Sequence, residues 1–308
     1  MIDPFDNLRR SLRGAGPIPR PPSLTGTAPP GGLAPESPPR HSLESLFADP
    51  TNLPARALAI LGEMERTKWP SPPTRLQLQR HTLAGGEVCS LPIRYFDARC
   101  LIATFRTDLD RAAALLKGVG LDAVADGDGR ATVLFGCFEY RDTDLGPYNE
   151  VGLGVLSRAN GDRDPALYVL HLPVTTAKTD RIGRELWGYP KFVAAIILRG
   201  DDRAFSTTLS EAATGTIAVF EGGFGPAVPS PPCDLPTYSV LDSRVLRTRI
   251  QVLTPFREGD GTGFSLTVGA SRHPMAKSLG ALGLDGARPT SVRYADPFQG
   301  FLFPGFDV

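Results

Sequence analysis

The chain has 308 residues, of which 41% are hydrophobic and 21% are charged, a composition typical of a globular protein with a sizeable core. Its 33 basic and 33 acidic residues give no net charge, which excludes the strong positive field that attracts nucleic acids or anionic membranes. No stretch reaches the roughly 18 consecutive apolar residues of a membrane span, and the first ten residues lack the apolar stretch of a secretion signal. We therefore expect a cytoplasmic protein that binds neither nucleic acid nor membrane.

The four cysteines and the four histidines follow no metal-binding or disulfide pattern. No two cysteines have the Cys-x-x-Cys spacing, and no histidines have the His-x-His or His-Glu-x-x-His spacing. We expect free cysteines within the core, no metal site built by the protein and no cofactor.

The first part of the chain is predicted to be a proline-rich arm, residues 1–75. Residues 17–39 contain nine prolines and few large apolar side chains, so they cannot bury enough surface to form a core of their own. Residues 54–68 have apolar side chains at intervals of three and four, which predicts one helix that ends before the prolines at 70–73. The second domain is predicted to be residues 76–308.

The second domain is predicted to consist mainly of β-strands. Residues 107–117 begin with Thr and Asp, which can cap a helix, and predict one short helix. The later strands follow one another through turns rich in Gly, Pro and Asp without long helices between them, which favours antiparallel pairing. We expect a β-dominated α+β fold whose antiparallel sheet closes into a barrel or cone. The predicted strands are residues 100–106, 131–141, 150–156, 168–175, 192–198, 205–209, 215–220, 245–253 and 264–268.

Lys191 is the first candidate for chemistry. It follows a turn formed by Gly, Tyr and Pro and precedes the apolar run at 192–198. Partial burial there would disfavour the ammonium form and favour the neutral amine, which attacks carbonyl groups. The alternative is a lysine at a strand end that extends into water.

Two glutamates are further candidates. Glu139 shares a strand face with apolar residues 133, 135 and 137, so its carboxylate is either paired, held for use or turned toward solvent at the strand end. Glu150 shares a face with Gly152 and Gly154, which leave open space for a ligand or mark a bend in the strand. Tyr148 lies on the same face as Glu150 and could supply a hydroxyl group.

Four motifs in order resemble segments of the acetoacetate decarboxylase family. Residues 183–191 read Gly-Arg-Glu-Leu-Trp-Gly-Tyr-Pro-Lys, which is similar to the family segment that carries the Schiff-base lysine. Phe-Glu at 138–139 and Leu-Gly-x-Tyr-x-Glu at 145–150 match the segments with its active-site carboxylates. Residues 105–108, Phe-Arg-Thr-Asp, resemble its strand-to-helix junction. The resemblance extends from about residue 76 to the C-terminus and omits the proline-rich arm.

The resemblance implies that Lys191 forms a Schiff base with a small keto acid and that Glu150 and Glu139 position it or move protons. Two positions differ from the family pattern. The residue after the nucleophile is Phe192 where the decarboxylase has a second lysine, so activation by an adjacent ammonium is missing. The arginine expected to hold the substrate carboxylate is replaced by alanine at position 98. The remaining candidates for substrate binding are Arg99, which requires a bulge, Arg94, and the bulky Trp187 and Phe192 beside the lysine.

The implied activity is that of a lyase that decarboxylates a β-keto acid, and the implied assembly is a homo-oligomer. Two alternatives are open. The same lysine enamine could serve aldol condensation or dehydration of keto acids, chemistry found in the wider superfamily. The chain could also be a non-catalytic protein that binds a small acid or acts as an oligomeric scaffold.

Overall fold

The computed structural model of the protein describes residues 78–308, which form eighteen β-strands and three α-helices. The helices are α1 (Leu109–Leu116), α2 (Ala177–Trp187) and α3 (Pro274–Ala281). The strands in the first half of this region are β1 (Gln79–Thr82), β2 (Val88–Leu91), β3 (Ile93–Asp108), β4 (Leu121–Ala123), β5 (Arg130–Thr143), β6 (Tyr148–Ala159), β7 (Ala166–His171), β8 (Ala195–Gly200) and β9 (Ala204–Glu211). The remaining strands are β10 (Gly215–Gly223), β11 (Ala227–Ser230), β12 (Leu235–Leu241), β13 (Arg244–Val252), β14 (Phe256–Gly259), β15 (Phe264–Val268), β16 (Ser291–Ala295), β17 (Gly300–Leu302) and β18 (Phe306–Asp307).

Seven strands of one twelve-stranded sheet pair in a closed ring. Their order is β3, β5, β6, β7, β12, β13 and β17, and β17 pairs back onto β3. This confirms the prediction of a β-dominated fold whose sheet closes on itself. The pairing of β7 with β12 is parallel, whereas the other six pairings of the ring are antiparallel. A parallel pair requires a long crossover, and here the intervening chain contains α2 and three strands of a second sheet.

That second sheet has four strands in the order β15, β10, β9 and β8, and it covers the outside of the ring. Alternate side chains of β5 show how the second sheet packs against the ring. Val133, Phe135 and Cys137 are buried in a core cluster with Phe205 and Phe220 of the second sheet. The side chains between them point to the other face of β5, toward the interior of the ring. Both faces of β5 are therefore largely buried.

The helices begin and end where the sequence provides capping groups. Asp108 caps α1, because its carboxylate accepts hydrogen bonds from the backbone N–H groups of residues 110 and 111. The predicted helix at 107–117 is therefore present. Helix α2 was not predicted from the sequence, and its presence corrects the expectation that no long helix separates the later strands. Its first residue follows Thr176, whose hydroxyl accepts from the backbone N–H of Thr179. No helix among the described residues is long and apolar enough to cross a membrane.

The predicted proline-rich arm at 1–75 and its helix at 54–68 lie outside the described residues. Their boundaries stay predictions.

A histidine at the end of β7 forms a hydrogen bond with helix α3, and it should make the stability of the protein sensitive to acid. His171 Nε2 lies 2.9 Å from the hydroxyl oxygen of Ser278 on α3. Burial, with a further contribution from the nearby His273, lowers the pKa of His171 to about 4. The unfolded chain binds a proton at this residue at about pH 6.5, whereas the folded protein resists it down to about pH 4, so stability falls as the pH decreases through this interval.

We therefore expect the His171→Gln variant, which can still hydrogen-bond to Ser278, to lose less stability in acid than the wild type. Between pH 7 and pH 4.5 the difference should be about 2 kcal/mol in the free energy of unfolding, measured by urea denaturation at both pH values. Equal acid destabilisation of the two proteins would show that His171 is not the responsible group.

Candidate active site

A glycine at the end of α2 turns the chain so that Lys191 is directed into the protein. Gly188 has a φ of 63°, in the left-handed region, and its N–H donates to the carbonyl of Arg184. A Cβ atom at this position would lie 2.1 Å from the carbonyl oxygen of Val240, so only glycine fits without displacing β12. The turn buries Tyr189 and positions the segment that contains Lys191.

One residue, Val174, holds the segment after α2 next to β6. Val174 forms an antiparallel bridge with Glu150 and a parallel bridge with Val193. Its N–H donates to the carbonyl of Phe192 at 2.9 Å, and the N–H of Ala194 donates to its carbonyl at 2.9 Å. These backbone bonds bring Lys191 close to Glu150 although 41 positions separate them in the sequence. The predicted strand at 192–198 is correspondingly shorter, since β8 begins only at residue 195.

Lys191 and Glu150 form an ion pair that is almost completely buried. The ammonium of Lys191 donates to Oε2 of Glu150, and the two side chains are 7% and 9% exposed. The hydroxyl of Tyr140 donates to the other carboxylate oxygen, Oε1, at 3.3 Å. The pair places an amine and a carboxylate in direct contact in a buried position.

Three tyrosines whose rings pack in a row lie beside this pair. The ring centroids of Tyr95 and Tyr140 are 4.7 Å apart, and those of Tyr140 and Tyr148 are 4.5 Å apart. Nζ of Lys191 lies 5.9 Å from the ring centroid of Tyr148, close enough for a cation–π contact. Burial raises the pKa of all three hydroxyls, and the charge of Glu150 contributes to each increase. The hydroxyls are therefore neutral hydrogen-bond donors at physiological pH.

The pair lies in the wall of a cavity that the ring of seven strands encloses. The cavity has a volume of about 110 Å³, and most of its lining side chains are apolar. Of the described residues that line it, Lys191 is the only basic one. Every strand of the ring contributes to the lining, through Tyr95, Leu134, Glu150, Leu167, Thr237, Ile250 and Leu302 among others.

The structure separates Glu139 from the other two predicted catalytic residues. Glu139 does share a face with Val133, Phe135 and Cys137, but that face packs against the second sheet and not against the cavity. Its carboxylate forms an ion pair with the neighbouring Arg99, with Nε and Oε2 2.5 Å apart. The predicted placement of Glu139 and Arg99 beside Lys191 is therefore wrong.

Arg94 is also turned away from the cavity, because β3 and β5 change register between them. The register is irregular on both sides of the pair formed by Asp97 and Asp142. The extra residue on β3 reverses the face of the side chains before it, so that Tyr95 lines the cavity and Arg94 does not. Arg94 binds Asp144 through Nε and Nη2, at 2.9 and 2.7 Å.

The two bulky residues predicted to flank the substrate line other parts of the fold. Trp187 is buried, donates from Nε1 to the carbonyl of Phe303 at 2.8 Å and stacks near Tyr189. Phe192 packs on His273, with ring centroids 4.3 Å apart. Neither is among the residues that line the cavity. Of the predicted site residues, the structure brings together Lys191, Glu150 and Tyr148.

Gly183 completes the site from the side of α2, and the sequence analysis assigned it no role of its own. A Cβ atom at this position would lie 2.3 Å from Cε and 2.5 Å from Cδ of Lys191. The glycine therefore provides the space that the lysine stem occupies beside the helix. Gly183 lies eight residues before Lys191, about one helical turn and one tight turn away, and this spacing is the signal that could have indicated the contact.

We expect Gly183→Ala to displace the end of the Lys191 side chain and to reduce turnover by at least about tenfold, since displacements of about 1 Å can cost a hundredfold. Helix α2 itself should persist, because alanine is a better helix former than glycine by about 1 kcal/mol. The matched control is Gly280→Ala in α3, where an added Cβ atom has no neighbour within 4 Å. Measuring the rate of reductive trapping on Lys191 in both variants tests the contact, and a wild-type rate in Gly183→Ala would contradict it.

The described residues contain no group of three or more His, Cys, Asp and Glu side chains arranged to hold a metal ion.

Comparisons with solved structures agree with this fold. A structure of an acetoacetate decarboxylase is similar with a TM-score of 0.54 at 18% identity, over 70% of this chain and 89% of that chain. The acetoacetate decarboxylase of Legionella pneumophila has a TM-score of 0.54 at 17% identity, over 80% of this chain and 95% of that chain. The enduracididine biosynthesis enzyme MppR, complexed with pyruvate, has a TM-score of 0.52 at 17% identity, over 73% and 94%. At these identities the similarity establishes the fold alone.

Sequence comparison gives the family. No curated protein matches the chain significantly. The family model for acetoacetate decarboxylase, however, matches residues 81–253, which is more than half of the chain and includes both Glu150 and Lys191. The chain belongs to the acetoacetate decarboxylase family.

Proposed function

We propose that this chain is a lyase that decarboxylates a β-keto acid through a Schiff base on Lys191. The observation that carries the proposal is the buried pair of Lys191 and Glu150 in the wall of an apolar cavity. A lysine in such a place is costly to bury for structural reasons alone, because apolar residues of similar volume would pack there at least as well. Its retention together with an enclosed space of substrate size supports a chemical role.

The first step in the proposed reaction is proton transfer within the pair. The ammonium of Lys191 passes its proton to Glu150, which produces a neutral amine and a neutral carboxylic acid. The amine then attacks the ketone carbon of the substrate, and the resulting carbinolamine loses its hydroxyl group as water when Glu150 returns the proton. The product is a protonated imine.

The second step breaks the bond between the α-carbon and the carboxylate. The electron pair of that bond moves toward the protonated imine, so CO₂ leaves and an enamine remains. Glu150, which is now a carboxylate, takes up a proton from solvent and delivers it to the enamine carbon, and hydrolysis of the imine then releases a ketone and restores the amine. Glu150 is the proposed proton carrier in these steps, and Tyr140 orients its carboxylate through the hydrogen bond to Oε1.

The apolar lining supports decarboxylation in a further way. The substrate carboxylate is charged, whereas CO₂ is neutral, so an environment without additional cations favours the product side of the bond cleavage. Lys191 is the only basic residue that lines the cavity within the described part of the chain. In the proposed intermediate its positive charge lies on the imine nitrogen. Glu139 pairs with Arg99, and Arg94 pairs with Asp144, all outside the cavity lining. We therefore propose no role at the reacting atoms for Glu139, Arg99 or Arg94.

Aldol condensation or dehydration of a keto acid through the same enamine is the second candidate. The observation that favours it is a similar structure, that of MppR complexed with the condensation product of pyruvate and imidazole 4-carboxaldehyde, at 16% identity and a TM-score of 0.53. In this reaction the enamine carbon would attack the carbonyl carbon of an aldehyde, whereas in the decarboxylase it takes up a proton.

Reductive trapping tests the proposed function. The protein is incubated with acetoacetate or with pyruvate, reduced with borohydride, and digested for mass analysis of the peptide that contains Lys191. We expect an adduct on that peptide and release of CO₂ from acetoacetate. An adduct without CO₂ release, together with condensation of pyruvate and an aldehyde, would select the aldolase. The lack of an adduct with every keto acid tried would overturn both and favour a binding or scaffold protein.

A further inference from the structure

The lining of the cavity extends along β5 and β6 well beyond Lys191. On β5 its lining runs from Tyr140 to Leu134, and on β6 it runs from Glu150 to Leu156. Six residue steps of about 3.3 Å each span roughly 20 Å. Phe138 pairs with Glu150 across these strands, so the catalytic pair lies at one end of the lining and Leu156 at the other.

The part of the cavity remote from Lys191 is apolar. Its walls include Leu134, Leu156, Ala166, Leu167 and Val169. A polar substituent would find few unused partners there, and an apolar chain would be removed from water on all sides.

The polar side chains in this part already have partners within the protein. The hydroxyl of Thr237 is 2.7 Å from that of Tyr189, and Oδ2 of Asp234 is 2.8 Å from Nε of Arg249. These pairs satisfy the polar atoms at the cavity wall without a ligand.

Gly152 keeps the passage between the two parts open. It pairs with Gly136 across β5 and β6, and both line the cavity, but the ring of Phe138 fills the space beside Gly136, where its Cε2 would lie 2.7 Å from an added Cβ atom. A Cβ atom at Gly152 would have only one neighbour within 4 Å, Cδ1 of Leu172 at 3.3 Å. The space next to Gly152 is therefore cavity, and a branched side chain at this position would project into the passage.

We propose that the substrate is a β-keto acid whose ketone carries an unbranched apolar chain of about three to five carbons, which lies along β5 and β6 beyond Gly152. The proposal rests on the proposed function, because Lys191 must bind the ketone. The volume of about 110 Å³ sets the upper limit of the length. At roughly 10–15 Å³ for each water-sized group, the cavity holds about seven to eleven such groups, and the upper figure corresponds to the non-hydrogen atoms of 3-oxooctanoate. The apolar lining beyond Gly152 is the observation that favours a chain longer than the methyl group of acetoacetate.

A series of unbranched 3-oxo acids tests the inference. The probes are 3-oxobutanoate, 3-oxohexanoate, 3-oxooctanoate and 3-oxodecanoate, and the measurement is kcat/KM for CO₂ release. Each buried methylene contributes roughly a fourfold gain in binding, and with a discount for incomplete contact we expect at least about a 30-fold rise from 3-oxobutanoate to 3-oxooctanoate. The value should stop rising at 3-oxodecanoate because the cavity is then full.

Two variants locate the chain within the cavity. Gly152→Val should lower the ratio of kcat/KM for 3-oxooctanoate over 3-oxobutanoate by at least about tenfold, since it blocks the passage. Leu156→Phe, which shortens the remote end, should lower the ratio for 3-oxooctanoate over 3-oxohexanoate. The control is Ile197→Ala on the exposed face of β8, which should leave both ratios unchanged.

The outcomes separate the inference from the function on which it rests. If borohydride traps adducts on Lys191 with these acids but kcat/KM is flat or falls with chain length, the substrate class is wrong and the Schiff-base function stands. An unchanged ratio in Gly152→Val would likewise overturn the assignment of the chain to this passage. If no acid of any length gives an adduct, the proposed function itself fails.

Discussion

Replacing Lys191 with methionine is expected to abolish reductive trapping and to reduce decarboxylation by at least about 10⁴-fold. Methionine retains the unbranched stem beside Gly183 but cannot form an imine, so the electron sink for the departing CO₂ is lost. The measurements are the mass of the trapped peptide and the rate of CO₂ release. A variant that keeps even about 1% of wild-type turnover would show that another group serves as nucleophile.

A second substitution separates the loss of chemistry from a loss of folding. Removing the ammonium leaves the buried carboxylate of Glu150 without its counter-ion, and breaking a buried pair in this way typically costs about 3–5 kcal/mol of stability. The double variant Lys191→Met with Glu150→Gln removes both charges, so we expect its unfolding free energy to return close to that of the wild type. Its activity should stay as low as that of Lys191→Met. Recovery of activity in the double variant would contradict the role of Lys191.

Lys191→Arg supplies the matched control for charge. Arginine remains cationic beside Glu150, yet its guanidinium does not form imines with ketones, so the variant should fold and remain inactive. If Lys191 only held a substrate carboxylate by its charge, Lys191→Arg would retain substantial activity.

Alternation along strands was sufficient to predict one half of the site. Period-two spacing places Tyr148, Glu150 and Gly152 on one face of β6. In the structure Glu150 and Gly152 line the cavity, and the ring of Tyr148 lies 5.9 Å from Nζ of Lys191. The same rule correctly grouped Glu139 with its apolar neighbours on β5. It could not show which face of β5 borders the cavity, because both faces are buried and the choice depends on how the sheet closes. Closure is set by pairings between residues that are distant in the sequence.

The arginines show that a local change of strand register makes the period-two rule fail. Without an irregularity, Arg94 would share a face with Ala98, which lies opposite Tyr140, and it would point toward the cavity. The change of register at Asp97 reverses this order and places Tyr95 there instead. No glycine or proline marks the irregularity in residues 93–99, so the sequence pattern gave no indication of it.

Helix α2 could have been predicted from its ends. Thr176 is a favourable N-cap, and Gly188 follows the last helical residue, as is common for a left-handed C-cap. The interior contains few large apolar residues, which weakens the helical periodicity on which the prediction of strands and helices depended. The helix matters for the site because it brings Gly183 against the stem of Lys191. These two residues are the first and the last of the motif at 183–191.

The second large effect is expected for Glu150→Gln. The amide has the shape of the carboxylate and can still accept a hydrogen bond from Lys191 through its oxygen, but it cannot carry a proton between the amine and the substrate. We expect kcat to fall by about 10²–10³-fold, the range typical of a lost proton carrier, while borohydride still traps an adduct on Lys191. The measurement is the extent of trapping after long incubation, compared with the rate of CO₂ release.

The control for this prediction is Glu139→Gln, because Glu139 lies on the face of β5 that points away from the cavity. Its carboxylate contacts Arg99 at the edge of the second sheet, so its removal should change kcat by less than about threefold and stability by no more than about 1 kcal/mol. Equal losses of kcat in Glu139→Gln and Glu150→Gln would mean that proton transfer does not depend on contact with Lys191. Because Glu150 also takes the proton of Lys191 in the first step, trapping in Glu150→Gln should be slower but should reach the wild-type extent after long incubation. A lower final extent would indicate that Glu150 serves mainly to hold the lysine in place. A wild-type extent of trapping with slow release of CO₂ is the result that supports Glu150 as the proton carrier, because the imine then forms while turnover is limited by proton transfer.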